Sequence, residues 1–265
     1  KNIDPKVKIS MFAIGGGNWK YAEYLFEKGF SRYGDGVANN NNDFYQVAQF
    51  MQNARQKAPR LLFFSNGVGY ASSLAIEPRY PIGKGYFGRF FPEDIEQGQF
   101  IAKTMFAWWD LDAANAPYYI PLRKWVIDGQ VYPHWFGVYG FQDFTIDGYG
   151  NMSIQRHPGW YAFQTVAHTF YNRDQFVKPA FSMVSSAPIS MFRSYLHPLT
   201  TGAELLMMLW NDDRAVNTTI TIGSTEFKYP VRIATFNYHE WSDVPYEIQD
   251  GNVIIRLEVK SDPVI

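Results

Sequence analysis

Leu61-Leu62-Phe63-Phe64-Ser65-Asn66-Gly67-Val68-Gly69-Tyr70-Ala71-Ser72 decides how the N-terminal part of this chain reads. Four apolar residues follow Pro59-Arg60 and give way to Ser, Asn and two Gly, the pattern of a short buried strand ending in a backbone-permissive turn. A parallel barrel strand meets its active-site loop in this way, so chemistry is expected at 65–70. Any buried strand before a Gly-rich turn reads alike, and the flanking segments must separate the two.

Upstream, Val7-Lys8-Ile9-Ser10-Met11-Phe12-Ala13-Ile14 before Gly15-Gly16-Gly17 is a second strand and Gly turn. The three Gly lack GxGxxG spacing and a following Lys-Ser/Thr, so they make a weak phosphate cradle. Asn18 caps a helix over 19–30, with Trp19, Ala22, Leu25 and Phe26 near a helical period. Asp35-Gly36-Val37-Ala38 is a strand running into Asn39-Asn40-Asn41-Asn42, which is either a polar turn or a hydroxyl-binding rim. A helix from Asp43 is stopped by Pro59.

Downstream, 72–91 reads as a long loop carrying Glu77, Arg79, Lys84 and Arg89, a length common in functional loops. Pro92-Glu93-Asp94 starts a helix to about Thr104. Met105-Phe106-Ala107-Trp108-Trp109-Asp110-Leu111-Asp112 then reads as an apolar strand ending in Trp-Trp-Asp, a sugar platform or a pair of core aromatics. Residues 113–157 read as irregular and aromatic, and Pro158 opens a last helix. Strand then helix four times implies parallel strands with right-handed crossovers. From about Phe181, short alternating strands punctuated by Asp213, Gly223 and Asp250-Gly251 read as an antiparallel sandwich.

The 265 residues allow one large or two medium domains, at roughly 100 to 200 residues each. The expected division is 1–178 and 179–265. A net charge of -1 with interspersed signs leaves no electrostatic footprint for nucleic acid or an anionic membrane surface. No apolar run approaches the roughly 20 residues of a membrane-spanning helix. Zero Cys excludes a disulfide scaffold and a cysteine nucleophile. The five His show no ligand spacing, so neither a metal nor another cofactor is expected. Lys1-Asn2-Ile3-Asp4-Pro5 lacks a signal peptide's apolar core, which leaves the compartment open; an extracellular or lumenal place after processing is the favoured expectation. Aromatic residues make 18% of the chain, enough to serve either a large core or sugar-stacking faces.

Five segments, in order, carry a family resemblance: Gly67-Val68-Gly69-Tyr70-Ala71-Ser72, Gln97-Gly98-Gln99-Phe100-Ile101, Trp108-Trp109-Asp110, His157-Pro158-Gly159-Trp160-Tyr161-Ala162 and Leu209-Trp210-Asn211. The set resembles the C-terminal half of retaining glycoside hydrolases of the β-xylosidase and α-L-iduronidase type. The resemblance implies an α/β fold: the last four β-α units of a (β/α)8 TIM-type barrel, then a β-sandwich. It also implies a poly- or oligosaccharide substrate and a cleft lined by Asn39, Asn40, Asn66, Tyr70, Trp108, Trp109 and Asp110.

Gly67 occupies the slot of that family's nucleophilic Glu, with Asn66 the neighbouring choice, and neither forms a glycosyl ester. Retaining hydrolysis needs two carboxylates about 5 Å apart. Glu77 is a substitute if its loop folds back, with Asp110 and Asp112 as alternatives. The acid/base Glu would come from an N-terminal half-barrel, as another chain or a cleaved segment, because half a barrel leaves open edges. The rival expectations are a noncatalytic carbohydrate-binding or structural protein that has lost its nucleophile, and a nucleophile-to-glycine variant.

Overall fold

The computed structural model describes residues 8–15, 19–40, 44–65, 71–72, 90–91, 94–110, 122–133, 141–170, 176–177, 179, 182–200, 202–212, 214–223, 231–234, 241–261 and 263–265. The chain divides into two compact units, 1–160 and 161–265.

In the first unit, β1 (Ser10–Gly15), β2 (Gly36–Asn40) and β3 (Leu62–Ser65) form a parallel sheet in sequential order. Helices α1 (Trp19–Glu27) and α2 (Phe44–Lys57) make the two crossovers. Each helix is built from an apolar stripe: Ala22 and Phe26 from α1, and Phe50, Met51 and Ala54 from α2, share one buried cluster with Val37 and Phe63. Val37 and Phe63 are partners across β2 and β3, so both helices cover the same face of the sheet. Sequential strands with their helices on one side are singly wound, whereas a doubly wound sheet places helices on both faces. Trp19 closes the layer, edge-on to Phe50 at 5.7 Å. On the other face Gly36 gives the closest approach: a Cβ there would sit 2.5 Å from the Leu62 carbonyl oxygen and 2.5 Å from the Phe64 ring.

Short parallel strands β4 (Ala71–Ser72) and β5 (Phe90–Phe91) precede α3 (Asp94–Asp110). This helix corrects the sequence reading, which ended it near Thr104 and made 105–112 a strand. Every residue from Ile101 to Trp108 is buried. A helix buried on all sides lacks the one-sided periodicity that distinguishes it from a buried strand. The fourth strand, read at 105–112, is therefore helix through Asp110, and among the described residues the parallel sheet β1-β2-β3 holds three strands.

Residues 113–157 are corrected as well. They hold a four-stranded sheet of β6 (Leu122–Ile127), β7 (Gln130–Pro133), β8 (Gln142–Ile146) and β9 (Met152–Arg156), in the order β7-β6-β8-β9. Asp128-Gly129, both at positive φ (49° and 77°), makes the two-residue turn between β6 and β7. Asp147 organises the β8–β9 turn: its Oδ1 accepts from the backbone N–H groups of Tyr149 and Asn151 at 2.9 and 2.8 Å, and its Oδ2 from Asn151 Nδ2 at 2.9 Å. Helix α4 (Pro158–Phe170) follows, and the division between the units falls within it.

The second unit is antiparallel. Strands β10 (Met183–Ser185), β13 (Val216–Ile222), β17 (Asn252–Val259) and β16 (Tyr246–Gln249) form one sheet in that order. Two hairpins, β11 (Met191–Leu199) with β12 (Gly202–Trp210) and β14 (Val231–Ala234) with β15 (Trp241–Val244), complete the described strands. Period-two alternation places Ile220 and Ile222 beside Val253, Ile255 and Val259 in one core, which Leu209, Phe192, Val231 and Val244 from the hairpins also join. Asn211, of the Leu209-Trp210-Asn211 motif, is a structural staple. Its Oδ1 accepts from the Ser190 N–H and Oγ at 3.1 and 2.8 Å, and its Nδ2 donates to the Arg214 carbonyl at 2.8 Å.

Candidate functional site

In parallel β-α structures, ligands bind beyond the carboxyl ends of the strands, where loops from successive strands meet. The register brings three such ends together: Gly15 opposite Asn40, and Asn39 opposite Ser65. Gly15 admits backbone close to a ligand, while the amide of Asn39 carries a donor and an acceptor that suit neutral hydroxyls. Among the described residues, no Asp or Glu ends one of these strands.

Asn39 is the unusual member. It is 1% exposed, and among the described residues neither its Oδ1 nor its Nδ2 has a hydrogen-bond partner. A buried amide without partners costs about 1–3 kcal/mol, so such a group is normally satisfied by water, ligand or further protein. Alternation puts Asn39 on the face of Val37, the face that the helices cover.

Trp108 belongs to that layer. It is 1% exposed, packs in the cluster with Val37 and Phe63, and its indole Nε1 has no hydrogen-bond partner. Of the two readings of the Trp pair, Trp108 follows the core-aromatic one, in a helix instead of at a strand end. Trp109 stacks on Phe106 at 5.7 Å and 28°, and with Asp110 it is half-buried in the last turn of α3.

Asn40 ends β2, and its side chain lies outside the described set, as do Asn66, Gly67, Tyr70, Glu77 and Asp112. The structure thus brings Asn39, Asn40 and Ser65 to one edge. It places Trp108 in the core, within the helix-covered layer.

The sequence reading missed a second polar pair. His157 Nε2 lies 3.1 Å from Asp143 Oδ2, both nearly buried, with the His157 N–H donating to the Phe141 carbonyl at 2.9 Å. The signal was in the hairpin: once β8 and β9 pair across the Asp147 turn, Asp143 and His157 come to the same end. Among the described residues, no three His, Asp or Glu side chains cluster as metal ligands would.

No family model matches the chain, and no curated protein matches it. Several solved structures resemble it in part. SrfJ from Salmonella typhimurium overlaps 94% of this chain at 11% identity and a TM-score of 0.45. An endo-β1,6-glucanase overlaps 94% at 12% identity and a TM-score of 0.39. The catalytic domain of GH30 xylanase C from Talaromyces cellulolyticus overlaps 93% at 14% identity and a TM-score of 0.38. The chain spans 44%, 45% and 66% of these three structures, respectively.

Proposed function

We propose that this chain is a glycoside hydrolase-like protein that holds a poly- or oligosaccharide at the carboxyl edge of β1-β2-β3. It would form part of a (β/α)8 barrel followed by a β-sandwich, and an N-terminal half-barrel would complete the cylinder. The observation that carries this reading is the buried, unpartnered amide of Asn39 beside the ends of three singly wound parallel strands. A sugar offers vicinal hydroxyls that both donate and accept, matching the two orphaned atoms of one amide. The ordered motifs from Gly67-Val68-Gly69-Tyr70 to Leu209-Trp210-Asn211 support the same class.

In a retaining mechanism one carboxylate attacks the anomeric carbon while a second protonates the leaving oxygen and later activates water. Gly67 stands in the nucleophile's slot, Glu77 is the candidate substitute, and the acid/base Glu would come from the N-terminal half. Asn66, Tyr70, Trp109 and Asp110 complete the proposed lining, and Trp108 supports it from below. A second reading, a noncatalytic carbohydrate-binding protein, is favoured by the absence of a carboxylate among the described strand ends.

The native species provides the first test: a mass well above 30.6 kDa is expected if further strands complete the barrel. At that native length, Gly67→Glu assayed on aryl glycosides separates the two readings. Turnover indicates retaining machinery short of only its nucleophile. Silence with retained oligosaccharide binding indicates a binding protein, and loss of both rejects the carbohydrate reading.

A further inference from the structure

We infer a second binding site at the opposite, amino end of the parallel sheet, a cleft suited to an acidic, uronate-bearing oligosaccharide. The cleft is an open groove of about 590 Å³, lined by Lys8, Ser31, Asp35, Lys57, Arg60 and Leu62, among others. Its position follows from the strand order. Lys8 precedes β1, Asp35 immediately precedes β2, and Arg60 and Leu61 immediately precede β3, while Lys57 ends α2. Three exposed cations therefore line the cleft with the carboxylate of Asp35, and a second carboxylate, Glu23, pairs with Lys57.

That carboxylate is engaged in the fold: Asp35 Oδ2 accepts from the Ile9 N–H at 2.9 Å, tying the start of β1 to β2. Lys57 lies 3.4 Å from Glu23, an exposed pair that water screens and an incoming anion can replace at small cost. The carbonyl end of α2 carries partial negative charge, which Lys57 offsets, so Lys8 and Arg60 supply most of the attraction for an anion. Arginine's planar fork matches a carboxylate's two oxygens.

An exposed aromatic ring is adjacent in the chain. Ser31 and Gly34 line the cleft and bracket Arg32-Tyr33. Tyr33 is 68% exposed, yet its ring is held: Phe30 meets it edge-on at 6.0 Å, and the Arg32 guanidinium lies 5.3 Å from its centre. A braced, exposed ring beside a basic cleft suits a ligand with an apolar ring face and an ionised edge. A uronic acid residue has both. Nucleic acid combines stacking and charge too, but it binds through a row of phosphate contacts, whereas the described lining offers three cations beside a carboxylate.

The test is affinity electrophoresis of the full chain through gels containing polygalacturonate, neutral dextran or single-stranded DNA. Retardation by polygalacturonate alone is expected. It should weaken as salt shortens the screening length below about 10 Å, and fall at least about fivefold in Lys8→Gln/Arg60→Gln and in Tyr33→Ala, with melting temperatures unchanged. Equal retardation of wild type and both variants, or a stronger response to DNA than to polygalacturonate, overturns the proposal. Asn39→Leu keeps this test separate from the carboxyl-edge reading: it leaves polygalacturonate retardation intact if the cleft is the site, and abolishes it if the sugar sits at the other end, which also overturns the proposal.

Discussion

Asn39 stands directly opposite Ser65 in the parallel register of β2 and β3, with its amide sealed from water and unpartnered. A protein gains nothing in stability from such a group. Replacing a buried, unpaired amide by an apolar side chain of similar shape removes the desolvation cost without opening a cavity. Asn39→Leu is therefore expected to raise stability by about 1–3 kcal/mol in chemical denaturation while eliminating oligosaccharide binding at the carboxyl edge. A destabilised variant would show that the amide is satisfied in solution by protein or water, and would remove the main support for a ligand at this edge.

Trp108 separates a structural role from a binding one. Its ring fills the layer shared by Val37, Phe50 and Phe63, and truncating a large buried aromatic costs about 3–5 kcal/mol. Trp108→Ala is expected to lower the denaturation midpoint by that amount even in the absence of any sugar. An exposed platform residue would leave the midpoint unchanged.

The same residue shows why some of the fold was legible and some was not. Helices α1 and α2 were readable because one face of each packs on the sheet, so Ala22, Leu25 and Phe26, or Phe50, Met51 and Ala54, recur at helical spacing. From Ile101 to Trp108 burial is continuous, and a short run of apolar residues carries no period that tells helix from strand. The β6–β7 hairpin left a clear local mark, since Asp128-Gly129 is a favoured two-residue turn. The apolar and aromatic texture of 113–157 hid it. At the edge, Ser65 and the Asn39-Asn40 pair were placed by strand ends alone. The orphaned state of Asn39 was not legible, because it depends on what three separate segments leave unfilled. The loop residues Asn66, Gly67, Tyr70 and Glu77 fall outside the described residues.

Asp147 gives a pH signature. The hydrogen bonds from Asn151, side chain first and then backbone, with that from the Tyr149 N–H, hold its carboxyl below the usual carboxylate range. A depressed pKa in the folded state means that the carboxylate stabilises the β8–β9 turn above the unfolded-state value of about 3.9. That contribution is lost as pH falls through the lower folded-state value. Side-chain carboxyl NMR is expected to show Asp147 titrating below ordinary Asp residues, and Asn151→Ala to return it toward the normal range. An Asp147 that titrates normally in the wild type would mean that the turn's hydrogen bonds do not persist in solution.

Gly159, the second residue of α4, sits against α3 so closely that a Cβ would lie 2.8 Å from Ile101 Cδ1 and 2.9 Å from Phe141 Cβ. Gly98 on α3 faces the same contact, with a Cβ 3.2 Å from the Pro158 carbonyl carbon and 3.3 Å from the Gly159 nitrogen. Intrinsic helix propensity favours alanine over glycine by about 1 kcal/mol, so sterics must exceed that gain before either substitution harms the fold. At Gly98 the overlap is a few tenths of an ångström, and the two effects nearly cancel. At Gly159 the Ile101 methyl can swing away, but the Phe141 Cβ is fixed to its backbone, so overpacking dominates. Gly159→Ala is expected to cost about 1–3 kcal/mol, and Gly98→Ala less than 1 kcal/mol in either direction. Adding Ile101→Val, which deletes the Cδ1 atom, should restore part of the Gly159→Ala loss and none of it in the Gly98→Ala background. A double-mutant cycle with no coupling between Ile101 and Gly159 would show that the two helices stand further apart than these distances.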